Sequence, residues 1–222
     1  MRRLALALAA FAGAATAAAP TWPDTPLARV EALALLQTLN ADLLSHPSAT
    51  LTLERWCQAH HLADPPTVHA RRDRDAAKPL PDDLRRALGL AQDVPVRYRS
   101  VQLACGEHVV SEADNWYVAG RLTDAMNRQL DTSDTPFGKV VAPLRFSRRT
   151  LSAQLLWSPL PVEWETRGPP PVGPRPLAVP HQVLQHRALL VDAQGRPFSA
   201  LVETYTDQVL AFPAPAREHH GD

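Results

Sequence analysis

The chain has few lysines and cysteines, no net charge and no long apolar run beyond its N-terminus, and each shortage closes a class of function. Its 23 basic residues are balanced by 23 acidic ones. It therefore lacks the positive surplus that neutralises a phosphate backbone, which argues against a nucleic-acid partner. Lys78 and Lys139 are the only lysines, and the other basic residues are arginines, a bias that carries little functional information. No later segment is apolar enough to span a bilayer. The two cysteines lack a second Cys/His pair of matching spacing to close a zinc site, although Cys57 with His60 and Cys105 with His108 keep a metal reading open. What remains is 222 residues with 45% hydrophobic content, enough to bury one sizeable core.

The N-terminus reads as an export signal. Met1-Arg2-Arg3 is a basic start, a short alanine-rich apolar stretch follows, and Ala15-Thr16-Ala17 has the small-x-small form of a cleavage site. Residues 1–17 are thus expected to be a signal peptide cut after Ala17, which makes the mature protein periplasmic or secreted. A retained amphipathic anchor is the alternative. In an oxidising compartment the lone cysteine pair is expected to form a Cys57–Cys105 disulfide. Residues 18–222 are expected to form a single domain with a Pro-rich loop at 158–180 and a polar tail at 213–222, where His219 and His220 are most simply solvated.

Along the mature chain the hydrophobic period changes from helical to alternating. Thr25-Pro26 opens a helix with a stripe at Val30, Leu33, Leu36, Leu39 and Leu43; a second helix turns Leu53, Trp56, Cys57 and His60 inward. Strands are predicted at "TVHAR", "PVRYRSVQLACG", "HVVSEADNWYV" and "RFSRRTLSAQLLW". Short helices are predicted at "PDDLRRALG" and after Thr123, with Met126 and Leu130 facing inward. A hairpin turning at Ala193-Gln194-Gly195 ends the chain. The stretch "RGPPPVGPRPLAVP" cannot form a ladder or a helix, because proline has no N–H to donate, and reads as a lid or a stiff spacer.

Strand phase singles out two charges. Alternation puts Arg97, Arg99, Val101, Leu103 and Cys105 on one face, so Arg99 sits on the apolar side, as a salt-bridge member, a side chain reaching water, or an anion receptor. Glu203 likewise shares an apolar face with Ser199, Leu201 and Tyr205. A third feature is "DTPFGK", residues 134–139. There Thr135 is expected to cap a helix whose first residue is Pro136, leaving the N–H groups of Phe137 and Gly138 free to hold a carboxylate or phosphate, or simply starting a helix.

The order "RSVQLACG…NWYV…DTPFGK…RFSRRTLS…GRPFSALVETY" resembles the chorismate lyase family, the chorismate pyruvate-lyases, and more distantly the UTRA ligand-sensing domains. The resemblance covers roughly Leu51 to Phe212, and its most specific match is Thr135-Pro136-Phe137-Gly138-Lys139 against the family's Thr-Pro-Leu-Gly-Arg. It implies an α+β fold: a mainly antiparallel sheet of about six strands, helices packed on one side and an internal cavity. It also implies that Arg99 grips a substrate carboxylate, that the backbone at Phe137 and Gly138 contacts the ligand, and that Glu203 serves in catalysis, with no cofactor and no metal. The implied activity is loss of pyruvate from chorismate to leave 4-hydroxybenzoate. The alternative is a non-catalytic periplasmic module that binds a small aromatic carboxylate such as chorismate or 4-hydroxybenzoate.

Overall fold

The computed structural model describes residues 21–168 and 170–215, so the signal-peptide expectation and most of the polar tail lie outside the described residues. The elements run α1 (Pro26–Ser45), α2 (Ala49–Ala59), β1 (Val68–Asp73), α3 (Asp82–Ala87), β2 (Arg97–Cys105), β3 (His108–Tyr117), α4 (Asp124–Thr132), α5 (Phe137–Val140), β4 (Ser147–Leu155), α6 (Trp164–Arg167), β5 (Gln182–Val191) and β6 (Pro197–Thr206). The six strands form one sheet in the order β1-β2-β3-β6-β5-β4. Every neighbouring pair is antiparallel. This is the α+β architecture expected from the sequence.

Local chemistry accounts for the element boundaries. Thr25, Ser48 and Thr123 each accept a hydrogen bond from the backbone N–H three residues on, so α1, α2 and α4 begin on side-chain caps. The β5–β6 turn closes on Asp192, whose Oδ1 accepts from the N–H groups of Gln194 and Arg196. Gly195 supplies the positive φ of 76° that an L side chain resists. The buried stripe of α1 runs through Ala28, Ala32, Leu36, Leu39 and Leu43, whereas Val30 and Leu33 are half-buried. In its first half, therefore, the stripe is carried by small alanines at i, i+4 rather than by the larger neighbours named from hydropathy.

Helices α1 and α2 cover one end of a single sheet face, packing on Leu103, Leu184 and Tyr205. Helices α4 and α5 cover the other end of that face, over Tyr117, Leu190 and Leu201. The short α3 lies across the sheet from them, where Leu84 and Leu88 shield Trp116, Leu189 and Ala200 at one corner. Because Trp116 and Tyr117 are consecutive on a strand they point to opposite faces, and each belongs to a different core.

A disulfide joins Cys57 on α2 to Cys105 at the end of β2, with Cα atoms 6.5 Å apart and a sequence separation of 48. It ties helix layer to sheet and leaves neither sulfur as a thiolate, which removes the metal reading at these cysteines. In the chain-entropy account a loop of this length contributes about 4 kcal/mol. The expected result in mass spectrometry is that unreduced protein takes up no alkylating label and fully reduced protein takes up two. Labelling of both thiols without reductant would contradict the pairing.

The Pro-rich loop is fastened to the start of α1. Gly173 N–H donates to Asp24 O at 2.9 Å, Leu177 N–H to Trp22 O at 2.8 Å, and Pro23 forms an isolated bridge with Pro176. Arg29 adds a hydrogen bond to Pro159 O at 2.6 Å. Gly173 and Leu177, which keep the N–H that the flanking prolines lack, make these attachments. One turn of helix, α6, precedes the prolines.

Candidate functional site

The site grows out of the register of β2, β3, β6 and β5. Arg99 pairs across the strands with Asn115, and Asn115 with Leu201; one row along, Val101 pairs with Ala113, Ala113 with Glu203, and Glu203 with His186. Arg99, Asn115, Glu203 and His186 thus share the face that α1, α2, α4 and α5 cover. Between this face and the helices lies a narrow cavity, about 40 Å³ of which admits the centre of a water-sized molecule, within a void of about 460 Å³ that includes open solvent. Its walls come from Ser48 and Thr50 at the start of α2, from Phe137 and Gly138 on α5, from Phe146 and Arg148, and from Asn115 and Glu203 on the strands. Apolar walls with a few convergent polar groups are what a small-molecule site requires. None of the described residues of the Pro-rich loop is among the lining residues.

Arg99 does not itself line the cavity; it lies one register step away, beside Asn115. It is 2% exposed. None of its Nε, Nη1 and Nη2 atoms has a hydrogen-bond partner among the described residues. The acceptors nearby are already taken. Arg97 holds the Asp131 carboxylate at 2.9 Å, Arg72 donates to Leu130 O at 2.9 Å and Arg74 to Asp131 O at 2.8 Å. Burial, then the charge of Arg72, pushes the Arg99 guanidinium below its ordinary value. A buried cation with three uncommitted donor atoms is costly unless an anion joins it.

Glu203 is committed. Its Oε2 accepts from Arg148 Nη2 at 2.5 Å and from Tyr205 Oη at 3.5 Å, and both members of the ion pair are buried. Burial and the adjacent Glu203 hold the Tyr205 hydroxyl well above its usual value, so it stays a donor. Beneath this pair His186 is fully buried and packs edge-on against Tyr205 at 5.5 Å. Burial, then the Arg148 charge, lowers its pKa to about 4 against the opposing pull of Glu203. The neutral ring donates its Nε2–H to Asn40 Oδ1 at 2.8 Å.

That shift carries a stability prediction. A histidine whose folded pKa lies below its unfolded 6.5 contributes stability that is whole above about 6.5 and is lost as pH falls toward about 4. The difference corresponds to about 3 kcal/mol. Urea denaturation of the wild type at pH 7.5 and pH 4 is expected to show this loss in excess of that in His186→Gln, whose amide donates to Asn40 without titrating. Equal pH dependence in the two proteins would contradict it.

The turn at residues 134–139 differs from the sequence expectation. Helix α5 begins at Phe137 with Pro136 as its cap residue, and no side chain caps it. Pro136 is extended, with ψ 142°, and its carbonyl accepts from the N–H groups of Lys139 and Val140. The Thr135 hydroxyl lies 3.0 Å from Ser133 Oγ, which itself donates to Gln129 O at 2.8 Å. The helix starts one residue later than expected, because the extended ψ of Pro136 makes that residue, not Thr135, the cap position. The Phe137 ring is half-buried against Tyr117 at 5.3 Å and Phe198 at 6.4 Å, and Gly138 stands next to Ser48 and Thr50.

The structure thus brings Phe137, Gly138 and Glu203 to one cavity and puts Arg99 beside it. Sequence reasoning missed Asn115, Arg148 and His186. Period-two alternation did hold a signal for Asn115, which shares a phase with Ala113 and Tyr117 in "EADNWYV". No comparable signal identifies Arg148 as the partner of Glu203, since the two are 55 residues apart.

No family model matches the chain. Among solved structures it is similar to PhnF from Mycobacterium smegmatis (13% identity, 79% of this chain and 70% of that chain, TM-score 0.45). It is also similar to a GntR-family transcriptional regulator from Enterococcus faecalis V583 (12% identity, 67% and 99%, TM-score 0.39). A third is YydK from Bacillus subtilis subsp. subtilis str. 168 (16% identity, 68% and 62%, TM-score 0.40). Likenesses this distant assign no function. Much closer in sequence is the uncharacterized protein y4mC of Sinorhizobium fredii (strain NBRC 101917 / NGR234), 53% identical over 196 residues that span 87% of this chain and 83% of the relative. At that identity and coverage, the chain belongs to the y4mC family.

Proposed function

We propose that the protein binds a small aromatic carboxylate in the cavity between the sheet and helices α2 and α5, with Arg99 as the receptor for its negative charge. The observation that carries this reading is the buried, unpartnered Arg99 guanidinium beside an apolar-walled cavity. The ring of the ligand lies among Phe137, Phe146 and Leu201, and its carboxylate neutralises Arg99. Glu203 accepts a hydrogen bond from a ring hydroxyl. Positioning by Phe137 and Gly138 follows from their place on the cavity wall. The disulfide fits an oxidising, exported setting.

A second reading is the chorismate pyruvate-lyase reaction, favoured by the place of Glu203 on the cavity wall. In that reaction the departing enolpyruvyl group takes a proton and leaves as pyruvate, and the ring becomes 4-hydroxybenzoate. A carboxylate committed to Arg148 at 2.5 Å accepts hydrogen bonds rather than supplying that proton. Binding is therefore the reading the geometry favours.

Two measurements separate the readings. Calorimetric titration with 4-hydroxybenzoate is expected to give saturable binding, and incubation with chorismate is expected to give no 4-hydroxybenzoate by chromatography. Product that disappears in Glu203→Ala would establish the lyase reading instead. Neither binding nor turnover would remove both.

A further inference from the structure

The geometry points to Asn115 as the neutral second donor of a seat for a single carboxylate, which sets the site's preference for ligands with one negative charge over those with two. This rests on the carboxylate-binding reading above and specifies its chemistry.

Asn115 is on β3, 2% exposed, and lines the cavity directly opposite Arg99 in register. Its amide oxygen is engaged. The Ser199 hydroxyl, itself fully buried on β6, donates to Asn115 Oδ1 at 2.5 Å. With the oxygen held there, Nδ2 is left without a partner among the described residues. Buried amide donors without an acceptor are rare and costly in folded proteins. Here the orphan amide and the orphan guanidinium are cross-strand neighbours on one face. A carboxylate has two coplanar oxygens and can engage both donors at once.

The charge count then limits the ligand. The ionisable groups lining the cavity are Arg148 and Glu203, and they neutralise each other. In the adjoining groove, which shares Pro47, Ser48, Gly138 and Phe146 with this cavity, Lys139 is held by Glu54 at 2.6 Å and Arg145 is exposed to solvent. Among the described residues the buried positive charge left uncommitted beside this cavity is that of Arg99, and Asn115 adds a donor without adding charge. A second carboxylate on the ligand would meet apolar walls or the Glu203 side chain, so a dianion pays a desolvation cost that nothing there returns.

The test is calorimetric titration of the full chain with three probes of one shape: 4-hydroxybenzoate, its uncharged analogue 4-hydroxybenzamide, and the dianion terephthalate. Wild-type protein is expected to prefer 4-hydroxybenzoate over both by at least about tenfold. Asn115→Leu is expected to weaken 4-hydroxybenzoate by about tenfold or more, the usual worth of a hydrogen bond to a charged group. Asn115→Asp sets a carboxylate where the amide donor was, and is expected to invert the preference toward 4-hydroxybenzamide. Ser199→Ala, which alters no lining side chain, lets the amide turn and is expected to weaken 4-hydroxybenzoate by about threefold. That variant keeps the test decisive if replacing Asn115 prevents folding. Wild-type affinity in Asn115→Leu and Ser199→Ala, with binding lost in Arg99→Met, would overturn the role of Asn115 while leaving the carboxylate reading intact. Terephthalate bound as tightly as 4-hydroxybenzoate would overturn the single-charge preference. Failure of wild type to bind any of the three would remove the carboxylate reading and this proposal together.

Discussion

Arg99→Met is expected to weaken binding of 4-hydroxybenzoate by about 2–5 kcal/mol, the usual cost of removing one partner of a buried charged pair. The same replacement is expected to make the ligand-free protein more stable, by about 1–4 kcal/mol, because an apolar side chain of similar length takes the place of a charge that is buried without compensation. The two effects have opposite signs for one reason. In the free protein Arg99 has no acceptor among the described residues, since Asp131 is engaged by Arg97 and the last carbonyls of α4 by Arg72 and Arg74. Calorimetry would measure the first effect and urea denaturation without ligand the second. A variant that unfolds, while the wild type binds no carboxylate, would make Arg99 a structural residue and refute its role as receptor.

Arg148→Ala is expected to destabilise the protein by about 3–5 kcal/mol, because it leaves the Glu203 carboxylate buried without its cation. Replacing both members, as Arg148→Met with Glu203→Gln, is expected to restore most of that loss. Breaking a buried pair costs much more than exchanging the whole pair for neutral groups of similar shape. Denaturation of Arg148→Met, Glu203→Gln and the double variant forms a cycle whose coupling reads the interaction directly. Independent, additive effects would show that the 2.5 Å contact carries no interaction energy. The cycle also bears on function. A strong coupling means that Glu203 is held in place before any ligand arrives, as an acceptor on the cavity wall requires.

Much of the site was legible before any coordinates. The phase of "RYRSVQLAC" assigned Arg99 to the buried face, and the phase of "SALVETY" did the same for Glu203, because a strand alternates its side chains whatever lies around it. The caps at Thr25 and Thr123 and the turn at residues 193–195 were readable for a similar reason: each depends on hydrogen bonds within three or four residues. The Thr135 cap was misread although it too is local. Pro136 takes an extended ψ of 142° and becomes the cap residue itself, so the helix begins one residue later.

The sequence by itself determined which strand side chains share a face and, with two cysteines in the chain, which sulfurs could pair. Only the tertiary structure decided which charges find partners. Arg97 and Arg99 have the same strand phase and are two residues apart, yet one reaches Asp131 and the other finds no acceptor among the described residues. Glu203 takes Arg148 from a strand that is not its neighbour in the sheet, with β5 between them. The Pro-rich loop, read as a lid or a spacer, is anchored to the start of α1. The physical reason is common to all three. Alternation and capping are set by covalent geometry over a few residues, whereas ion pairing and loop docking depend on distances between segments far apart in sequence, which the packing of helices on the sheet creates.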